Sequence, residues 1–175
     1  MKLSELIRRK VINKNKEEMI ILYKTIVRPV LDYCVPVWRP YLKKDVIKLE
    51  KVQRNFTKMI KECKGLGYEE RLELLGLTTL EERHTRADLI QVYKILHDED
   101  KVFLDEFLVR STRQGRKNSM KLYKKRCLKD ITRMSFTYRV IDVWNNLPEL
   151  VVSAVNINEF KGRLNLYLRD ARGRH

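Results

Sequence analysis

The chain has 175 residues, of which 43% are hydrophobic, so it can bury a core and is not a disordered tail. Its 38 Lys and Arg against 23 Asp and Glu give a formal net charge of +15. Such an excess predicts a polyanionic partner, which is most often nucleic acid, although an acidic protein surface or anionic lipid also fits. No apolar run approaches the roughly 18 to 20 residues of a membrane span, and no signal-type segment follows Met1. We therefore expect a soluble, intracellular protein.

Hydrophobic residues recur at steps of three and four along most of the chain, which predicts an all-α protein of five to seven helices. The predicted helices cover residues 17–33, 43–63, 68–75, 79–97, 102–109, 136–147 and 157–168. Pro29, Pro36 and Pro40 follow one another closely, and they predict that the first helix kinks or ends. We expect an extended, turn-rich passage around Trp38.

Two of the predicted helices have local start signals. Thr79 with Glu82 forms a T-x-x-E capping box, and Asn156 with Glu159 has the same spacing. The two tryptophans, Trp38 and Trp144, are predicted to be buried core anchors rather than base-stacking residues.

The predicted helix over residues 43–63 has an apolar face and a separate basic face. Lysines at helical spacing are typical of a phosphate-binding surface, and they are also common on exposed helices that bind nothing. The candidate polyanion-binding residues on this helix are Lys43, Lys44, Lys48, Lys51, Arg54 and Lys58.

A second basic tract runs from Arg110 to Arg139, with eleven Lys or Arg and a single acid, Asp130. Weak alternation predicts a partly extended arm, with at most a short hairpin between Arg113 and Cys127. Arginines can bind phosphates with two hydrogen bonds, and a tyrosine among them can stack on a base. The alternative is a solvated loop that orders only on a partner. The candidate residues are Arg113, Arg116, Lys117, Lys121, Tyr123, Lys124, Lys125 and Arg126.

These patterns predict two regions. Residues 1–109 form a helical body, and residues 110–175 form the basic arm followed by C-terminal helices that pack on the body.

Several short motifs follow one another in a familiar order. Residues 23–54 read YKTIVRPVLDYCVPVWRPYLKKDVIKLEKVQR, and later motifs read YEERLELLGL (68–77), DLIQVYKIL (88–96), RVIDVWNNLPE (139–149) and NEFK (158–161). This order resembles the region downstream of the catalytic core in reverse transcriptases of LINE-type (non-LTR), jockey-like retrotransposons. The resemblance implies a thumb-like helical module that grips a template–primer or element RNA by its backbone.

The catalytic part of such an enzyme is missing from the sequence. Reverse transcription uses carboxylates that hold two Mg²⁺ ions, usually from an aromatic-x-Asp-Asp turn, and the chain contains no Asp-Asp pair. It also lacks a G-x-x-x-x-G-K loop, and its cysteines and histidines are scattered without metal-ligand spacing. We expect no enzyme activity, no catalytic or metal-binding residue and no cofactor.

The expected function is non-catalytic binding to the backbone of RNA or DNA, with no membrane and no small-molecule substrate as partner. One alternative is a structural protein that docks on an acidic protein lattice, such as the tubulin surface of a microtubule. A third hypothesis is a catalyst that uses unrecognised residues.

Overall fold

The computed structural model describes residues 14–97, 108–111, 118–126 and 135–172. These residues are mostly helical and contain no strand, which confirms the predicted all-α class. The α-helices are α1 (Lys16–Leu22), α2 (Arg28–Asp32), α3 (Val35–Trp38), α4 (Lys43–Thr57), α5 (Tyr68–Leu75), α6 (Leu80–Leu96), α7 (Phe136–Asn145), α8 (Glu149–Val152) and α9 (Ile157–Arg172). The sequence pattern does not predict α3 and α8, because a helix of four residues is too short to show a period.

The chain forms two compact units that divide between His84 and Thr85, inside α6. Leu80, in the first turn of α6, belongs to the core of the first unit, whereas Leu89 belongs to the core of the second. The predicted boundary after residue 109 lies further along the chain, and the division into body and arm stays a prediction.

The core of the first unit combines one face of the first helical tract with residues from α4 to α6. Met19, Tyr23, Val27 and Leu31 follow one another at four-residue steps, and all are buried. They join a cluster whose other buried members are Phe56, Ile60, Cys63, Leu72, Leu75, Leu77 and Leu80. Full burial of one such side chain stabilises a fold by about 1.5–3 kcal/mol, so this apolar face accounts for much of the unit's stability.

The first helical tract is interrupted by a wider turn. We expect one helix over residues 17–33, whereas a π-helical turn (Tyr23–Val27) separates α1 from α2. The N–H of Arg28 donates to the carbonyl of Tyr23, five residues earlier. Pro29 has no N–H, so it cannot donate the hydrogen bond that would continue an α-helix. The wider turn lies just before this position.

Trp38 lies in a helical turn, α3, so the prediction of an extended passage around it is wrong. Cys34 adopts the left-handed conformation, with φ of 50°, and separates α3 from α2. Pro36 lies in the first turn of α3, where a missing N–H leaves no hydrogen bond unmade. Proline therefore starts a helix here rather than preventing one.

α4 ends at Thr57 instead of continuing to residue 63, and a tertiary contact holds the turn that follows. The buried guanidinium of Arg71 donates from Nε to the Thr57 hydroxyl at 3.1 Å and from Nη1 to the Leu66 carbonyl at 2.7 Å. These two acceptors satisfy the buried charge of Arg71. The backbone has left the helical conformation by Ile60, which is extended with ψ of 131°. A 3₁₀ turn (Lys61–Cys63) then completes the segment.

The next two helices begin and end where local signals predict. α5 spans the predicted residues, and Gly76 caps it in the left-handed conformation, with φ of 59°. At the start of α6, the Glu82 N–H donates to the Thr79 hydroxyl at 3.2 Å. The Thr79 N–H donates back to the Glu82 carboxylate at 3.3 Å, which confirms the predicted capping box.

The core of the second unit is built around aromatic rings. Phe160 lies with its ring centroid 4.4 Å from Tyr93 and 5.8 Å from Trp144, and all three side chains are fully buried. The Tyr93 hydroxyl donates to the Ala154 carbonyl at 2.8 Å. The prediction that Trp144 is a core anchor is confirmed.

A buried ion pair links α6 to α7 within the second unit. Arg139 donates from Nε and Nη2 to the two oxygens of Asp88, at 2.9 and 3.0 Å. Asp88 is 1% exposed, so two parallel hydrogen bonds to a guanidinium are what allow its charge to be buried.

α9 begins at the predicted capping signal. The Glu159 N–H donates to the Asn156 side chain at 2.9 Å, and the Glu159 carboxylate accepts from the N–H of Val155 at 2.9 Å. The helix predicted over residues 102–109 lies mostly outside the described residues.

Replacement of Phe160 by alanine is expected to lower the free energy of unfolding by about 3–5 kcal/mol, because it leaves a cavity between two packed rings. Leu166, on the same helix, is 61% exposed, and Leu166→Ala is the matched control, with an expected change within about 0.5 kcal/mol. Urea denaturation followed by circular dichroism measures both. Equal losses in the two variants would contradict the described core.

Candidate nucleic-acid interface

The predicted cations of α4 all lie on the surface of the first unit. Each of the six side chains is exposed: Lys43, Lys44, Lys48, Lys51, Arg54 and Lys58. Gln53, Phe56 and Thr57 are buried, on the opposite side of the same helix. We call the six cations the α4 basic face; Lys58 belongs to it as the C-cap residue, one position after the last residue of α4.

A buried hydrogen-bond network fixes which side of α4 faces outward. The amide of Gln53, 1% exposed, accepts from the Tyr23 hydroxyl and donates to the Tyr68 hydroxyl and the Thr78 carbonyl, both at 2.9 Å. Three parts of the unit thus meet on one side chain. Because every one of these bonds would be lost if α4 rotated, the network holds the lysines outward.

Glu50, the acid in the middle of α4, is directed away from the basic face. One of its carboxylate oxygens accepts from the Tyr68 hydroxyl, and the other accepts from the N–H of Leu80 at 2.9 Å. Leu80 starts α6, where a negative charge also interacts favourably with the helix dipole. The carboxylate therefore caps a neighbouring helix, and it does not neutralise the lysines.

The two tyrosines of this network act as hydrogen-bond donors. Burial raises the pKa of the Tyr23 hydroxyl well above its usual value. Burial also raises the pKa of the Tyr68 hydroxyl, and the hydrogen bond to Glu50 adds to the effect. Both phenols stay protonated at neutral pH, as their donor roles require.

Two members of the α4 basic face have neighbours that orient them. Lys48 forms an ion pair with Asp45 at 3.0 Å, but its side chain is 72% exposed, so the pair contributes at most about 1 kcal/mol. The Arg54 guanidinium lies over the Tyr68 ring, 4.2 Å from its centroid. Lys43, Lys44, Lys51 and Lys58 have no ion-pair partner among the described residues.

The described part of the predicted arm is held against the second unit. The fully buried Asn118 donates to the Trp144 carbonyl at 2.9 Å and accepts from the Met120 N–H at 2.8 Å. Asn145 pairs with the backbone of Leu122 in both directions, at 2.8 and 2.9 Å. The Asn118 and Asn145 side chains thus bond to the backbone of Met120 and Leu122 and hold this part of the arm against the unit.

A short antiparallel pairing continues the same segment. The Ser111 N–H donates to the Lys121 carbonyl, and the Tyr123 N–H donates to the Val109 carbonyl, both at 2.7 Å. An isolated bridge between residues 110 and 122 lies at its centre. We expect a hairpin no longer than residues 113–127, but this pairing involves residues 109–111, which precede that range.

Alternation along this pairing separates the inner and outer side chains. Leu122 is 2% exposed, whereas Tyr123 is 54% exposed. Lys124 forms an ion pair with Asp142, and Lys125 and Arg126 are exposed. We call the arm surface the set Lys121, Tyr123, Lys124, Lys125 and Arg126. Arg113, Arg116 and Lys117 lie outside the described residues.

The prediction that Trp38 is a core anchor is wrong. Its side chain is 39% exposed, and its Nε1 donates to the Tyr33 carbonyl. Its ring packs edge-on against the His84 ring, with the two ring centroids 6.2 Å apart. Tyr33 and Tyr41 are also exposed.

Sequence reasoning also missed a charged cluster in the first unit. Arg83 Nε donates to Asp32 at 2.5 Å, and His84 Nε2 lies 3.6 Å from the other oxygen of the same carboxylate. Burial by itself would raise the pKa of Asp32, but His84 and Arg83 together outweigh it and lower that pKa. Asp32 is therefore ionised at neutral pH and neutralises one of the unit's cations.

Two further features are absent from the described residues. No group of three or more His, Cys, Asp or Glu side chains there is placed to hold a metal ion. Of the helices described, none has the length and apolar character needed to cross a membrane.

Comparison with known proteins gives no match: no family model, no curated protein and no solved structure matches this chain.

Replacement of Asp32 by asparagine is expected to destabilise the fold in a pH-dependent way. The folded pKa of Asp32 is depressed, so its ionised form contributes stability that is fully present above its unfolded pKa of about 4 and is lost as the pH falls through the folded pKa. The difference in unfolding free energy between wild type and Asp32→Asn should be largest near pH 6 and shrink toward pH 3. Urea denaturation at both pH values measures it, and a constant difference would argue against the ion pair.

Proposed function

We propose that this protein is a non-catalytic, nucleic-acid-binding module related to the thumb and downstream region of LINE-type reverse transcriptases. The observation that carries the proposal is the α4 basic face, with six exposed cations on a helix whose opposite side is locked by Gln53. The order of sequence motifs supports the relationship, and the absence of an Asp-Asp pair in the chain supports a role without polymerisation.

The geometry of the α4 basic face suits a phosphate backbone. From Lys43 to Lys58 the helix axis rises about 22 Å, and duplex DNA carries about 13 phosphate charges over that length. Six cations can therefore neutralise only part of the phosphates that they face, so binding stays favourable for each of them. Flexible lysine side chains act as point charges without a fixed direction, which favours binding that tolerates any sequence.

The arm surface supplies a second set of contacts in the other unit. Tyr123 offers an exposed ring among cations, and the extended backbone beneath it is fixed by Asn118 and Asn145. Because this backbone is already fixed, binding a ligand here costs less conformational entropy than binding by a flexible loop would. We propose that the arm surface binds the same ligand independently of α4.

Charge reversal on α4 is expected to weaken binding to RNA and DNA of all sequences alike. In the triple variant Lys44→Glu, Lys48→Glu, Lys51→Glu, the slope of log affinity against log salt should fall by about 3, and affinity near 0.15 M salt by on the order of 100-fold. Fluorescence anisotropy with short oligonucleotides measures both quantities.

A matched control variant distinguishes the loss of this particular face from a general loss of positive charge. Lys24, Lys61 and Lys64 are exposed elsewhere in the first unit, and their reversal to glutamate changes the net charge by the same amount. If both triple variants lose equal affinity, the α4 face is only solvated surface. Competition between a nucleic acid duplex and an acidic polypeptide tests the partner class, since preference for the polypeptide would favour docking on an acidic protein lattice.

The arm surface is best tested by substitution, because deletion would remove the buried Asn118 and Leu122. The double variant Lys125→Gln, Arg126→Gln should lose affinity by roughly 30-fold near 0.15 M salt if both residues contact phosphate. Lys161→Gln, Arg169→Gln on α9 removes the same charge and should bind nearly as wild type does. Wild-type affinity in the first double variant would show that the arm surface is not a contact.

A further inference from the structure

Three exposed aromatic side chains lie on one short segment of the first unit. We call residues 33–44 the aromatic segment. Tyr33 is 75% exposed, Trp38 is 39% exposed and Tyr41 is 52% exposed. Large apolar rings in water are costly, and grouped exposure of this kind is typical of a binding surface.

The backbone of the aromatic segment is anchored, so the rings are presented in a fixed way. Val35 is 1% exposed and packs into the unit. The indole of Trp38 donates to the Tyr33 carbonyl, and the guanidinium of Arg39 donates to the Glu81 carbonyl at 3.4 Å. Pro36 adds a restricted φ. Ligand binding therefore needs little ordering of this segment.

The charged side chains of the aromatic segment itself are all positive. Between Asp32 and Asp45 the sequence contains no acid but includes Arg39, Lys43 and Lys44. The two flanking acids are themselves engaged, since Asp32 binds Arg83 and Asp45 binds Lys48. The aromatic segment also runs directly into α4, so its last two lysines are the first members of the α4 basic face.

We propose that Tyr33, Trp38 and Tyr41 stack on unpaired bases of single-stranded RNA or DNA whose phosphates bind the start of the α4 basic face. This inference rests on the proposed function and names its substrate. Aromatic rings among cations are the arrangement by which proteins hold single strands, because every base has a flat face and every nucleotide a phosphate. In a duplex the bases already stack on one another, so the rings would gain nothing there.

A pair of ligands with equal charge tests the inference. One is an oligothymidylate, and the other is an oligonucleotide of equal length in which the central sites lack bases. Wild type should bind the oligothymidylate more tightly, by on the order of tenfold for each stacked base. Tyr33→Leu and Tyr41→Leu should each reduce this preference and leave the affinity for the abasic strand unchanged, because the lysines are intact.

Tryptophan fluorescence gives a second readout. Trp144 is fully buried and Trp38 is partly exposed, so a ligand that stacks near the surface quenches mainly Trp38. The oligothymidylate should quench the emission, and the abasic strand should not. Circular dichroism of each variant checks that it folds; Tyr33→Leu is the variant least able to disturb packing, because its ring is the most exposed of the three.

Val37→Ala is the matched control, since Val37 is 86% exposed in the same segment but has no ring to stack. It should keep the wild-type preference for bases. If it loses as much as Tyr33→Leu, the segment is an apolar docking face and the inference is wrong. Equal wild-type affinity for both strands would overturn the stacking alone, whereas failure to bind either strand or a duplex of the same length would overturn the proposed function itself.

Discussion

The side chain of Gln53 is a buried amide in the middle of a helix whose other side carries lysines. A buried amide costs free energy unless its hydrogen bonds are made, and here the Tyr23 hydroxyl, the Tyr68 hydroxyl and the Thr78 carbonyl make them. Gln53 therefore connects α4 to the first helical tract, to α5 and to the residues just before α6. The outward direction of the lysines follows from this inward constraint, because a helix cannot satisfy one side without fixing the other.

Many acids among the described residues have a hydrogen-bond or ion-pair partner within their own unit. Glu50 caps α6, Asp88 holds Arg139, Glu149 accepts two hydrogen bonds from Ser119, and Glu159 holds Arg163. These contacts stabilise helix ends and connect secondary-structure elements, so these four carboxylates have structural roles. Most lysines of α4 have no such role and stay in water. The exposed cations of the α4 basic face therefore form a local concentration of positive charge.

An extended segment without a sheet needs another way to satisfy its backbone. Residues 118–123 use the side chains of Asn118 and Asn145 together with a brief pairing to residues 109–111. An asparagine side chain carries both a donor and an acceptor, so it can replace the neighbouring strand of a sheet over one residue. This explains how a basic segment with weak periodicity becomes a fixed part of a helical unit.

Local interactions made a large part of this protein predictable from sequence alone. The all-α class, the capping box at Thr79 and the start of α9 at Asn156 depend on residues within one or two turns of each other, and all three are confirmed. The lysine spacing on α4 likewise identified the residues that are exposed there. Their binding role stays a prediction, since a spacing cannot tell a ligand contact from a solvated surface.

Only the tertiary structure decided where several of these elements stop and which side chains are buried. α4 ends at Thr57, whose hydroxyl accepts from the buried Arg71 fourteen residues later, and Trp38 is 39% exposed although Val35, three residues before it, is buried. The ion pair of Asp32 with Arg83 joins residues fifty-one positions apart. Periodicity describes what each residue prefers next to its neighbours, whereas these outcomes depend on partners that only the folded chain brings together.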